Sequence, residues 1–197
     1  MKAICFFDVD DTLVPFGLND IREQEKKILN QLLENEHYIF VNTGRTRSFI
    51  PSFLLDFPFS GYAAGCGTYT VSNPSDENCR FSKFNIFPNE NGDIDTFIKK
   101  YESSLEFISR HHNFYEVTPK DYSKGTAVTT IANDLNISIE NCYCFGDSTN
   151  DLSMLQAVKH SIVMDNGDEK AKEIAEFVTH DCADDGIEYA CKHYGLI

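Results

Sequence analysis

The sequence predicts an α/β protein, a parallel sheet doubly wound by helices on both faces, with one small α/β insertion. Three observations predict it. Short apolar runs such as "KAICFFDV" (Lys2 to Val9), "YIFVNTG" (Tyr38 to Gly44) and "CYCFGD" (Cys142 to Asp147) read as strands buried on both faces, and the polar residues fall at or just after their ends. Segments with apolar residues spaced for one helix face lie between and after them. Between residues 72 and 117 the texture changes, and the rhythm then resumes. Alternating strands and helices imply parallel strands joined by helical crossovers.

Lys2 to Val9 is the first strand. In "NDIREQEKKILNQLLENEH", Asn19 or Asp20 can cap a helix whose apolar stripe is Ile21, Ile28, Leu29, Leu32 and Leu33. "YIFVNTG" is the second buried strand. "TRSFIPSFLLDF" reads as helical, with Pro51 tolerable only near a first turn. "GYAAGCGTYTV" is Gly-rich and then strand-like. From Ser72, "SNPSDENCR" is a turn cluster and "FSKFNIF" a strand. "NGDIDTFIKKYESSLEFISRHH" reads as one helix, with Ile94, Phe97, Ile98, Tyr101, Leu105 and Ile108 on a single face. "NFYEVTP" closes the insertion as a strand, so a β-α-β unit is expected. After it, Val128, Ile131, Ala132 and Leu135 mark an amphipathic helix in "SKGTAVTTIANDLNI". "CYCFGD" is a strand, "NDLSMLQAV" a helix, "SIVM" a strand, "DEKAKEIAE" a helix, "FVTH" a short strand and "DGIEYACKHYG" the last helix. The expected division is a core of residues 1–71 and 118–197 with an insertion of residues 72–117.

A chain of 197 residues suits one domain with a modest insertion, and 42% hydrophobic residues can build a real core. A net charge of −14 argues against nucleic acid or an anionic membrane as partner, since both need basic patches. An anionic substrate would then need local cations or a metal. The seven cysteines (5, 66, 79, 142, 144, 182 and 191) show no CxxC spacing and read as buried thiols. A zinc site through Cys182 and His180 lacks further ligands at close spacing. The opening "MKAICFFDVD" does not read as a signal peptide, and no apolar run reaches the roughly 20 residues of a membrane helix. A reducing cytoplasm is the expected compartment.

In a sheet of this kind, ligands bind beyond the carboxyl ends of the strands. There the sequence places Asp8, Asp10 and Asp11, then Asn42, Thr43, Gly44 and Arg45, then Asp147, Ser148, Asn150 and Asp151, with Lys124 opening a helix. Clustered carboxylates repel one another, and a divalent cation relieves that. Oxygen-only ligands select a hard ion, and few protein ligands with several waters suit Mg²⁺. A lysine and a threonine hydroxyl beside the ion make an oxyanion site suited to phosphate.

"DVDDTL", "NTGR", "SKG" and "GDSTND", in this order, resemble the four motifs of the haloacid dehalogenase superfamily. "GDSTNDLSML" and the segment "SIVMDNGDEKAKEIAEFVTHDCADDGI" are similar to its Cof-type (type IIB) branch. The resemblance covers about residues 1–70 and 118–197. It implies a Rossmann-like core, a cap inserted between the second and third motifs, and an Mg²⁺-dependent phosphatase. By position, Asp8 matches the nucleophile that would form an aspartyl-phosphate, and Asp10 the general acid/base. Thr12 would steady the turn. Asp8, the Asp10 main-chain carbonyl and Asp147 match the metal ligands. Thr43, Gly44, Lys124 and Asn150 match the phosphate-binding set, and Asp151 the residue that orients Lys124 or a metal-bound water. Asp11, where the family more often has glycine, reads as a turn residue. Arg45 and Arg47 read as rim residues, His111 and His112 as flanking the end of the insertion helix, and Asn166 and Asp168 as helix caps.

Two departures stand out. The insertion is shorter than the family's full cap, and "AAGCGTY" lacks the Asn-Gly often found there. The expected activity is hydrolysis of a small phosphorylated metabolite, a sugar phosphate or similar. A phosphomutase, and a non-catalytic phosphate-binding module on the same fold, are the alternatives. A mutase must exclude water, which a small cap opposes, and a binding module would not need both Asp8 and Asp10.

Overall fold

The computed structural model describes residues 2–66, 69–71, 84–88, 93–110 and 114–197. A sheet of seven strands forms its centre. Strand β1 (Ile4–Phe7) lies in the middle, flanked by β2 (Tyr38–Asn42) and β8 (Cys142–Gly146). Beyond β2 come β3 (Gly61–Ala64) and β4 (Tyr69–Val71); beyond β8 come β9 (His160–Val163) and β10 (Phe177–Val178). All neighbours pair parallel except β3 and β4, which pair antiparallel.

Side-chain alternation along β1 decides which face each residue serves. Cys5 and Phe7 pack with α1 (Glu23–Glu34) and α7 (Gly186–His193), while Ile4 and Phe6 pack with α4 (Lys124–Asp134) and α5 (Leu152–Ala157). All four β1 side chains are fully buried. Phe6 stacks on Phe40 and Phe7 on Phe145, with ring centroids 5.5 and 4.6 Å apart. This is the doubly wound sheet the apolar runs imply. Its order reverses between β1 and β8, so a crevice opens beyond the carboxyl ends of these two strands.

Two helix starts differ from expectation. Helix α1 begins at Glu23, and neither Asn19 nor Asp20 caps it; Asp20 instead accepts hydrogen bonds from the Ile21 amide (2.7 Å) and Lys26 (3.0 Å). Arg22 precedes α1, pairs with buried Glu25 and reaches the carbonyls of Cys182 (3.0 Å) and Ala183 (2.7 Å), tying α1 to the C-terminal segment. Pro51 divides the next helical stretch into a single 3₁₀ turn at Arg47–Phe49 and α2 (Ser52–Asp56), as its missing amide requires. Helix α6 (Glu169–Ile174) follows β9.

The insertion departs further. Helix α3 spans only Ile94–Tyr101, capped by Asp93, whose carboxylate accepts the Thr96 amide at 3.0 Å. Leu105–Arg110, expected to continue the helix, forms strand β6. It pairs antiparallel with β7 (Phe114–Pro119), which also pairs with β5 (Phe84–Ile86), so the described part of the insertion is β-α-β-β. "LEFI" fits either period, because Leu105 and Phe107 alternate with Glu106 while Leu105 and Ile108 keep helical spacing. Cross-strand hydrogen bonding decides for the strand. The turn cluster at 72–80 and His111 and His112 lie outside the described residues. Among the described residues no helix is long and apolar enough to cross a membrane.

Candidate active site

The site forms where β1, β2 and β8 end. Asp8 follows the last residue of β1, and its amide donates to the Phe145 carbonyl at 3.0 Å, so the backbone of the neighbouring strand aims it. The next residues turn back sharply, with Asp11 amide to Val14 carbonyl at 3.0 Å and Val14 amide to Val9 carbonyl at 2.9 Å. Asp11 takes φ +57°, a left-handed conformation that aspartate tolerates, and its carboxylate accepts the Phe16 amide at 2.8 Å. It acts as the turn residue the sequence suggests. Asn166 donates to the Asp11 carbonyl at 2.9 Å and accepts the Cys182 amide at 2.9 Å, so it braces this turn.

Lys124 is the centre of the buried part. Its side chain is fully buried, and Nζ donates to Asp8 Oδ1 at 2.7 Å, Asp151 Oδ1 at 2.5 Å and Asn150 Oδ1 at 3.4 Å. Helix α4 presents it because Ser123 and Thr126 form a reciprocal capping box, 3.1 and 2.8 Å. The Lys124 carbonyl is held by Asn42 Nδ2 at 2.9 Å. Asp151 accepts the amides of Asp147 (3.0 Å) and Ser148 (3.1 Å) on its other oxygen. A Cβ at Gly146 would stand 2.8 Å from the Asp151 side chain, so glycine there lets Asp151 fold back beneath the strand end.

Thr12 donates to Asp147 Oδ1 at 3.2 Å, bridging the first and fourth motifs. Asp8, Asp147 and Asp151 each present a carboxylate oxygen within 4.8 Å of the others. Burial pushes the Asp147 carboxyl up to about 8, reinforced by Asp151 and Asp8 and opposed by the Thr12 hydrogen bond. Burial also raises Asp8, to about 7, against the pull of Lys124. Burial alone would lower Lys124, yet Asp151 and Asp8 together hold it above its ordinary range. Asp147 thus lies in a field of excess negative charge, and an oxygen-only donor set under that strain suits a hard divalent cation. Both oxygens of Asp151 are engaged, which leaves Asp8 and Asp147 better placed to bind one.

Thr43 and Gly44 stand at the end of β2. Thr43 is buried, its amide donates to the Ala63 carbonyl at 2.8 Å, and its hydroxyl accepts the Arg45 amide at 3.1 Å. Asp10 is exposed, and its carboxylate is gripped by both arms of Arg45, Nε to Oδ2 at 3.0 Å and Nη2 to Oδ1 at 2.6 Å. Hydrogen bonds thus join Asp8, Lys124, Asn150, Asp151, Asp147 and Thr12 in one network, while Arg45 connects Asp10 to the Thr43 loop. Arg45 reads from sequence as a rim residue, and no local pattern marks it as the partner of Asp10. Ser148 stands among the strand-end polar residues in sequence, but the bond its hydroxyl donates to Asn150 Oδ1 at 2.9 Å appears only in three dimensions.

Residues 5–79 and 68–191 match the family described as haloacid dehalogenase-like hydrolase, in two pieces that meet within residues 68–79. YkrA of Bacillus subtilis (strain 168) is 25% identical over 255 aligned positions, covering 100% of this chain and 99% of the relative. Those 255 positions exceed the chain's 197 residues, so YkrA carries residues this chain lacks. Phosphatase YwpJ of the same organism is 38% identical over 98 residues, 48% of this chain and 34% of YwpJ. Among solved structures, the HAD subclass IIB sugar phosphatase BT4131 superposes with a TM-score of 0.80 at 23% identity and full coverage of both chains, a likeness of fold. With the motifs at the ends of the expected strands and the family match spanning most of its length, the chain belongs to the haloacid dehalogenase-like hydrolase family and is an enzyme.

Proposed function

We propose that the protein is an Mg²⁺-dependent phosphomonoesterase that hydrolyses a small phosphorylated metabolite through an aspartyl-phosphate on Asp8. The observation that carries this reading is the buried Lys124 ammonium, 2.7 Å from Asp8 and 2.5 Å from Asp151 beside the half-buried Asp147. Such a lysine favours the ionised, attacking form of Asp8 against the effect of burial and presents positive charge to phosphoryl oxygens. The family match and the name of YwpJ support a phosphatase, and the fold likeness to the sugar phosphatase BT4131 makes a sugar phosphate the first class to test.

In this reading Asp8, the Asp10 carbonyl and Asp147 would hold Mg²⁺, which would supply positive charge to offset that developing on the phosphoryl group. Thr43 Oγ1, the Gly44 amide, Lys124 and Asn150 hold the phosphate. A carboxylate oxygen of Asp8 attacks phosphorus in line, and Asp10 protonates the departing ester oxygen. Asp10 then takes a proton from water, which attacks the acyl-phosphate and restores Asp8. Thr12 steadies Asp147, and Asp151 steadies Lys124. Residues 72–117, whose last strand continues to Pro119, would serve as a reduced cap on a core of 1–71 and 118–197. An enclosure this small favours transfer to water over the mutase alternative. The buried cysteines suit a reducing cytoplasm.

Asp8→Asn should abolish Mg²⁺-dependent phosphate release from 4-nitrophenyl phosphate while the circular dichroism spectrum is unchanged. EDTA should remove wild-type activity and Mg²⁺ restore it. Retained activity in Asp8→Asn would overturn the nucleophile, and a metal-independent rate would overturn the metal.

A further inference from the structure

Among the described residues, two cavities open on the site. One of about 200 Å³ lies over Lys124 and Asn150 and reaches Glu106 and Tyr122. The other, about 400 Å³, is lined by Asp10, Arg45, Val14, Pro15, Phe16 and Phe53, among others. We propose that the larger cavity receives the organic part of the phosphoester, and that it selects esters whose organic part carries an apolar ring over freely hydrated polyols.

This rests on the reading of Asp10 as general acid. A general acid must reach the leaving oxygen within hydrogen-bond distance. In-line displacement places that oxygen opposite the attacking Asp8 carboxylate. The organic part therefore begins at Asp10 and continues into the space that Asp10 lines. Among the described residues, the larger of these cavities has Asp10 in its wall and the smaller does not.

The other walls decide the chemistry. Phe16 is 94% exposed, an unusual position for so large an apolar ring. It does not hang on a free loop, because its amide is held by the Asp11 carboxylate at 2.8 Å and the Asp10–Val14 bridge closes the turn beneath it. Phe53, on α2, is half-buried against the core and supplies a second ring. Arg45 is turned by its two bonds to Asp10, and a guanidinium plane stacks readily on a ring. Covering Phe16 and Phe53 with an apolar ring removes both surfaces from water, a gain that a polyol, which meets only the polar part of the wall at Asp10, Asp11, Asn19, Arg45 and Ser52, does not make.

The test compares 2-phenylethyl phosphate with glucose 6-phosphate, both esters of primary alcohols, using the purified protein with Mg²⁺. Wild type should show a kcat/KM about tenfold higher for 2-phenylethyl phosphate, and Phe16→Ala should erase that preference, chiefly through KM. Tyr189→Ala, on α7 and outside both cavities, should keep it. Release from 4-nitrophenyl phosphate with no preference for 2-phenylethyl phosphate, or an unchanged ratio in Phe16→Ala, overturns the subsite and leaves the phosphatase reading in place. No Mg²⁺-dependent release from any of the three overturns the phosphatase reading, and the subsite with it.

Discussion

Lys124 shows how much of this site depends on one buried charge. Its ammonium stands between two carboxylates that are themselves buried, Asp8 and Asp151. Removing it leaves those two without their shared counter-ion, and breaking a buried pair in this way costs about 3–5 kcal/mol. Lys124→Met should therefore lower the urea midpoint by a corresponding amount and reduce phosphate release by at least about a hundredfold. A variant as stable as wild type would show that the two carboxylates are satisfied without the lysine. Asp8, Asp10 and Lys124 stand out in sequence as candidates because each sits in a short motif. Arg45 does not. Its importance comes from a contact with Asp10, 35 residues away, and an arginine after a glycine reads equally well as a solvated rim residue.

At the scale of elements, α4 and α5 meet unusually closely. A Cβ at Gly125 would lie 2.3 Å from the Ser153 carbonyl oxygen, a backbone atom that cannot swing away. Glycine in a helix normally costs about 1 kcal/mol relative to alanine, so Gly125→Ala would stabilise an isolated α4. Here it should destabilise by about 1–3 kcal/mol, because the helix must shift to relieve the overlap. Equilibrium urea unfolding decides the sign, and a stabilised variant would rule out the close approach. The strands and helices of the core are legible from apolar periodicity, since each buries a face against its neighbour. The segment 105–110 is not, because its apolar residues satisfy helical and strand spacing at once and only the hydrogen bonds to β7 settle the matter.

The whole molecule carries a net charge of −14 and gathers part of it at the site. Asp8 and Asp147 have folded-state pKa values raised to about 7 and about 8, from an ordinary value near 3.8. Between those limits the folded chain binds more protons than the unfolded one, so raising the pH destabilises the metal-free protein. The contribution of these two groups is full below about pH 4 and is lost as pH rises through 7 and 8. Mg²⁺ binds the ionised form and competes with protons, so the increase in Tm on adding Mg²⁺ to EDTA-treated protein should grow from pH 5.5 to pH 8.5. Thermal unfolding at four pH values, with and without Mg²⁺, measures it. An increment independent of pH would mean that the ion does not engage these carboxylates.

The sequence by itself determined the kinds of chemistry available: carboxylates two residues apart behind a buried strand, a hydroxyl and an amide behind the next, and a lysine opening a helix. Such features depend on residue type and short spacing, which a linear chain displays directly. Tertiary structure decided which of them meet. Lys124 reaches Asp8 across 116 positions and Thr12 reaches Asp147 across 135, because β1 lies between β2 and β8. It also decided that Asp10 faces Arg45 and that Phe16 borders an open cavity. Strand order and side-chain direction follow from how the faces of the sheet are covered, a property of the assembled core that no local stretch of sequence contains.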